Sequence, residues 1–159
     1  MKFRMLLVGA LMSLFAVDVL AQTPAPWLGS WKLNVAKSKA SPGVQLPKSR
    51  IDTFEAVEGG IKLTCAMVLS DGTAALFGYN TAKFDGKDYP WTGSANADAV
   101  SIMKVDDYTT KWALKKGGKV VQSGRDAFSR DGKLRTLTWE GTTVSSGQKG
   151  EGTLVFDRQ

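Results

Sequence analysis

The sequence has no histidine, and Cys65 is its only cysteine among 159 residues. Without imidazole there is no His-based acid/base catalysis, no Ser-His-Asp triad, no His-ligated haem and almost no route to a zinc site. A single thiol cannot close an internal disulfide, so the fold must be held by its core. Long apolar runs are scarce. The longest, Met5 to Val17, is about 13 residues, short of the roughly 20 that a spanning helix needs. Helical periodicity is hard to find beyond it. No Lys/Arg cluster is dense enough to mark a nucleic-acid surface.

What stands at the start is organised. Met1-Lys2-Phe3-Arg4 is a basic opening, followed by the apolar run and then Asp18-Val19-Leu20-Ala21. That order is the pattern of a secretory signal peptide, with Val19 and Ala21 as the small residues before the cut. Residues 1–21 are read as a signal peptide and 22–159 as one domain. No Cys stands at the cleavage point, so a lipid anchor is not expected, and the product is expected to be periplasmic or secreted. No membrane span is expected after cleavage. Export and charge together give no nucleic-acid partner. The net charge of +6 falls to +5 when Lys2, Arg4 and Asp18 are removed. A modest positive excess of this kind is a solvated surface with some preference for anionic neighbours.

Beyond the leader, alternating segments are broken by Gly59-Gly60, Asp71-Gly72, Asp85-Gly86, Gly117-Gly118 and Asp131-Gly132. These dipeptides tolerate the positive φ of tight hairpin turns. The strands between them are read as 27–33, 51–57, 61–69, 73–84, 87–92, 99–105, 108–115, 119–129, 134–140 and 152–158. Evenly spaced hairpins predict an all-β chain: a closed up-and-down antiparallel β-barrel of about 8–10 strands, since closure removes exposed edges. Residues 35–48 contain Pro42, Gly43 and Pro47 and read as a long loop with at most one helical turn. Residues 142–151 read as a mobile Gly/Ser/Thr-rich connection.

Trp27-Leu28-Gly29-Ser30-Trp31-Lys32-Leu33 resembles the Gly-x-Trp opening strand of the calycins, the lipocalins and fatty-acid-binding proteins. Asp131-Gly132-Lys133-Leu134, Leu137-Thr138 and the closing Thr153 to Arg158 are similar to the last hairpin of the fatty-acid-binding proteins. Gly29 to Asn34, Ala36 to Lys39 and Asp85 to Pro90 also resemble segments of small exported lipocalin-like proteins of bacteria. The resemblance implies a barrel with Trp31 packed at its base beneath Arg158, with Gly29 as part of the signature. It does not carry over the fatty-acid grip. The Arg and Tyr of that grip correspond to Leu154 and Phe156, which cannot pair with an anion. Nor is a substantial helical lid expected, because 35–48 is too short for two helices.

Several short motifs are better explained by structure. Gly117-Gly118-Lys119 lacks the remaining residues of a phosphate loop and joins two strands. Asp106 and Asp107 should point apart on an extended backbone. Asp71, Asp85 and Asp88 form no readable metal pattern, and no metal or cofactor is expected. Cys65 shares a face with Ile61, Leu63 and Met67, which makes it a buried apolar residue. The candidate ligand-binding residues are aromatic: Phe77, Tyr79, Tyr108, Trp112 and Phe156. Tyr108 and Trp112 alternate onto one face with Thr110 and Leu114. Arg125 is added as a possible inward charge; its alternative is a surface ion pair. The function expected is non-catalytic binding of a small apolar or amphipathic ligand by a monomer. The alternative is a protein-binding or inhibitory barrel acting through 35–48 and 142–151. A carboxylate- or Tyr-based enzyme ranks last.

Overall fold

A computed structural model of the protein describes residues 25–159. The leader assigned to 1–21 lies outside them. The described chain is almost entirely antiparallel strand: β1 (Gly29–Leu33), β2 (Lys39–Ala40), β3 (Ser49–Val57), β4 (Gly60–Val68), β5 (Ala74–Ala82), β6 (Asp85–Pro90), β7 (Ala99–Asp106), β8 (Thr109–Lys116), β9 (Lys119–Phe128), β10 (Leu134–Thr142) and β11 (Lys149–Arg158). They form one sheet in the order β5-β4-β3-β1-β11-β10-β9-β8-β7-β6, with the two-residue β2 added beside β11. The sheet curls into an all-β up-and-down barrel that is nearly closed. One seam, between β5 and β6, stays unsealed. A single bridge crosses it, where Gly78 and Thr92 exchange backbone hydrogen bonds of 3.2 and 2.8 Å.

The turn chemistry explains most of the meander. At the β8–β9 reversal Gly117 and Gly118 have φ of +56° and +77°, the pair of positive values that a tight primed turn requires. Asp71, Asp106 and Asp131 accept backbone N–H groups two residues ahead, and so fix the turns around them. Asp85-Gly86 departs from expectation. It lies inside β6, where the register against β7 shifts between Asp85 and Asp88, and the chain reverses at Lys83-Phe84 instead. Gly86 here serves a bulge rather than a turn.

The 35–48 segment holds one 3₁₀ turn, Val35–Lys37, with Asn34 accepting from the Lys37 N–H at 3.2 Å. It then pairs with β11 through β2. The connection expected over 142–151 is much shorter, because β10 runs on to Thr142 and β11 starts at Lys149. The two loops meet: Gln148 Nε2 donates to the Gly43 carbonyl at 3.2 Å, and Ser41 and Glu151 exchange bonds of 2.9 and 3.1 Å. Ser94 Oγ also donates to the Val144 carbonyl at 2.7 Å.

The core is the barrel interior. At one end Trp31 is fully buried, edge-on to Phe128 with ring centres 5.3 Å apart, and its Nε1 donates to the Trp27 carbonyl at 3.0 Å. The Arg158 guanidinium lies 5.1 Å above the Trp31 ring and donates to the Leu28 carbonyl at 2.6 Å. The side chain of Arg158 thus covers the ring with a cation–π contact while tying down the incoming chain. Gly29, at φ +110°, leaves the space this requires: a Cβ there would lie 3.1 Å from Arg158 Nη2.

Candidate functional site

The interior is not completely filled. A cavity of about 130 Å³ runs within the barrel, of the same order as the roughly 150 Å³ apolar cavity that admits benzene in an engineered protein. Its walls are mainly apolar and aromatic, including Phe77, Tyr79, Trp91, Trp112 and Trp139. Val44 and Leu46 from one loop and Val144 from the other cover it at the end opposite Trp31. Their half-buried side chains make these loops part of the enclosure.

One wall carries charge. Strand alternation places Arg50, Asp52 and Phe54 of β3 inward and leaves Ile51 outside. Asp126 of β9 and Arg135 of β10 also face inward, and both are buried. These four side chains form a continuous chain of ion pairs. Arg50 donates to Asp52 through Nε at 2.7 Å and Nη2 at 2.8 Å. Arg135 donates to Asp52 through Nη1 and to Asp126 through Nε, both at 2.6 Å. The Arg135 guanidinium is also packed against aromatic rings, 4.5 Å from the centre of Phe156 and 5.0 Å from that of Phe54. Arg50 is the least enclosed member, with a side chain 16% exposed that also borders the cavity.

The electrostatics follow from this pairing. Burial pushes the Asp52 carboxyl up, but the two arginines outweigh it and hold it at about 2. Burial opposes the charge of Arg50 and of Arg135, yet the facing carboxylates raise both. Arg50 Nη2 also donates to Cys65 Sγ at 3.6 Å. Burial, then the negative Asp52, push the Cys65 thiol well up despite Arg50, so Cys65 is a protonated, unreactive thiol. Burial likewise raises the Tyr79 phenol. Two arginines and two aspartates cancel, so the charged wall has no net charge to offer an ion.

The sequence-predicted residues separate. Phe77, Tyr79 and Trp112 border the cavity. Phe156 is fully buried below it as the platform for Arg135. Tyr108 sits in the β7–β8 turn, outside the strand whose alternation had placed it inward, with Arg130 5.4 Å from its ring centre. Arg125 is exposed on the outer face, where it borders a shallow surface groove with Lys111 and Glu140. The reason is parity: Asp126 and Phe128 take the inward positions of β9, so Arg125 must point out. The residues that the sequence reading missed are Arg50, Asp52, Asp126 and Arg135. Counting by twos from Phe54, Phe128 and Leu137 would have marked all four. Among the described residues no group of three or more His, Cys, Asp or Glu comes together in a way that could hold a metal ion.

The architecture is compatible with a calycin-like barrel. Compared with models of known protein families and with curated protein sequences, the chain matches none.

Proposed function

We propose that this chain is an exported, lipocalin-like barrel that holds a small apolar or amphipathic molecule and performs no catalysis on it. The observation that carries this reading is the internal cavity, whose apolar walls are interrupted by polar groups that include Arg50, Thr110, Gln122, Asp126 and Arg135. That is the composition of a small-molecule site, where apolar surface gives affinity and sparse polar groups fix orientation. The mutually satisfied ion pairs support binding over chemistry, because a general acid or base needs a partner-free position facing the reacting atoms and each of these four groups is already engaged by another. The loops are tied to each other and roof the cavity, which supports a lid more than a free protein-contact surface. Native mass spectrometry of freshly purified protein, with uptake of the apolar dye N-phenyl-1-naphthylamine, tests the reading. A co-purified small mass or saturable dye uptake is expected; neither being seen would end it.

A further inference from the structure

The inner face of β8 to β11 has an unusual order. Trp112 of β8 pairs across the sheet with Gly124 of β9, Gly124 with Trp139 of β10, and Trp139 with Gly152 of β11. All four positions face inward, so tryptophan and glycine alternate along one row around the barrel. Each indole lies over its neighbour's glycine. A Cβ at Gly124 would collide with the Trp112 ring, and one at Gly152 would come within 2.8 Å of Trp139 Nε1 and 3.1 Å of Cε2. The two rings therefore occupy the space that the glycines leave and lie along the wall instead of projecting across the barrel. Both border the cavity. Indoles lying along a wall offer a broad, flat aromatic surface.

The same strands turn Thr110, Gln122 and Asp126 toward the cavity, and two indole donors stand apart from them. Trp91 Nε1 and Trp112 Nε1 are buried and donate to no acceptor among the described residues. Both rings border the cavity, and Trp91 is only 9% exposed. Buried donors are nearly always paired, so two unpaired ones beside one cavity call for an acceptor. The charged wall supplies no net attraction, since its four ions already satisfy one another.

We infer that the molecule held in the cavity is compact and uncharged, with a planar ring that stacks on the Trp112–Trp139 wall and an acceptor oxygen that takes an indole N–H. This rests on the proposed ligand-binding function and narrows it. A long-chain carboxylate, which needs a net positive site and more length than about 130 Å³ provides, is disfavoured.

Four probes separate the possibilities: acetophenone, benzoate, cyclohexyl methyl ketone and octanoate. They vary charge, planarity and chain form. Calorimetric titration of the full barrel should rank acetophenone at least tenfold tighter than the other three. In a ¹H–¹⁵N spectrum of the same protein, acetophenone should shift the indole N–H signal of Trp112 or Trp91. Trp112→Leu and Trp139→Leu should each weaken acetophenone by tenfold or more while leaving octanoate unchanged. Benzoate or octanoate binding as tightly as acetophenone would overturn the inference and leave the proposed function standing. So would acetophenone binding with all indole signals unmoved, a readout that stands even if a tryptophan variant fails to fold. No binding by any of the four, with no co-purified mass and no dye uptake, would remove both.

Discussion

Replacing Asp52 by Asn keeps the side chain's size and removes its charge. Asp52 is fully buried and accepts three hydrogen bonds, two from Arg50 and one from Arg135. An amide offers one oxygen in place of two and presents N–H groups to a guanidinium. Two buried cations would then share the single carboxylate of Asp126. Breaking a buried pair by removing one partner costs about 3–5 kcal/mol, because the remaining charge stays desolvated. Urea unfolding followed by tryptophan fluorescence at pH 7 should show a loss of that size. Acid adds an independent check. The folded-state value of about 2 lies below the ordinary 3.8. A carboxyl lowered on folding contributes stability that is complete above its unfolded value and vanishes as pH falls through the folded one. For a shift of nearly two units the contribution is about 2 kcal/mol, lost between about pH 5 and pH 2. Asp52→Asn should flatten that part of the stability profile. The contrast is Asp107→Asn, whose pair with Lys104 is exposed and whose loss should leave the midpoint unmoved. The reasoning is refuted if Asp52→Asn costs under about 1 kcal/mol at pH 7, far below the cost of an orphaned buried ion, or if its acid profile matches wild type. Exchanging all four members for apolar residues of similar volume should recover most of the loss, since no stranded charge remains.

Three further outcomes are expected. Cys65, 1% exposed and held as a thiol, should react with a thiol reagent only at the rate at which the barrel opens, so its labelling should accelerate with urea in step with unfolding. Hydrogen exchange should be fastest along the facing edges of β5 and β6, away from the Gly78–Thr92 bridge, and slowest in β3, β4, β9 and β10; equal protection across the seam would contradict the open topology. Arg158→Ala removes the cover over Trp31 and the bonds to the Leu28 and Pro26 carbonyls, and should lower stability by about 1–2 kcal/mol while changing the emission of the buried indole. Arg158→Lys should recover only part of that, because a single ammonium cannot both lie flat on the ring and reach two carbonyls.

Much of the barrel could be read from alternation and turn chemistry. Asp71-Gly72, Gly117-Gly118 and Asp131-Gly132 all close hairpins where expected, because only a residue tolerant of positive φ fits there. Asp85-Gly86 misled because the same tolerance also suits a bulge, and nothing local separates a bulge from a turn. The aromatic side of the site was partly legible in Phe77, Tyr79 and Trp112. The charged side was legible only as parity: counting by twos marks its four inward positions but not the pairing that stabilises ions there. Charged residues within a strand are ordinarily outward, and at Arg50-Ile51-Asp52 the rule is inverted: the isoleucine is 42% exposed while the two ions face the interior. Such an inversion is stable only if the ions find each other. Their partners lie on strands 83 residues further along the chain for the Asp52–Arg135 contact, a distance that local patterning does not span.

The order of strands bears on how the barrel can be assembled. The strands β3 to β5 form one meander and β6 to β10 another, and across their junction there is only the bridge at Gly78. What joins the two meanders into one sheet is β1 against β3 on one side and β11 against β10 on the other, with Trp31 aligned to Arg158 where they meet. During synthesis both meanders emerge before β11, the strand that ties β10 to β1, exists. Arg135 and Asp126 pair within one meander and Arg50 and Asp52 within the other, so the Asp52–Arg135 contact that links the two pairs waits until the last strand is added. Shortening the chain by the length of β11 would therefore not trim an edge. It would leave two open sheets, each carrying half of an ion network, and such fragments are candidates for aggregation.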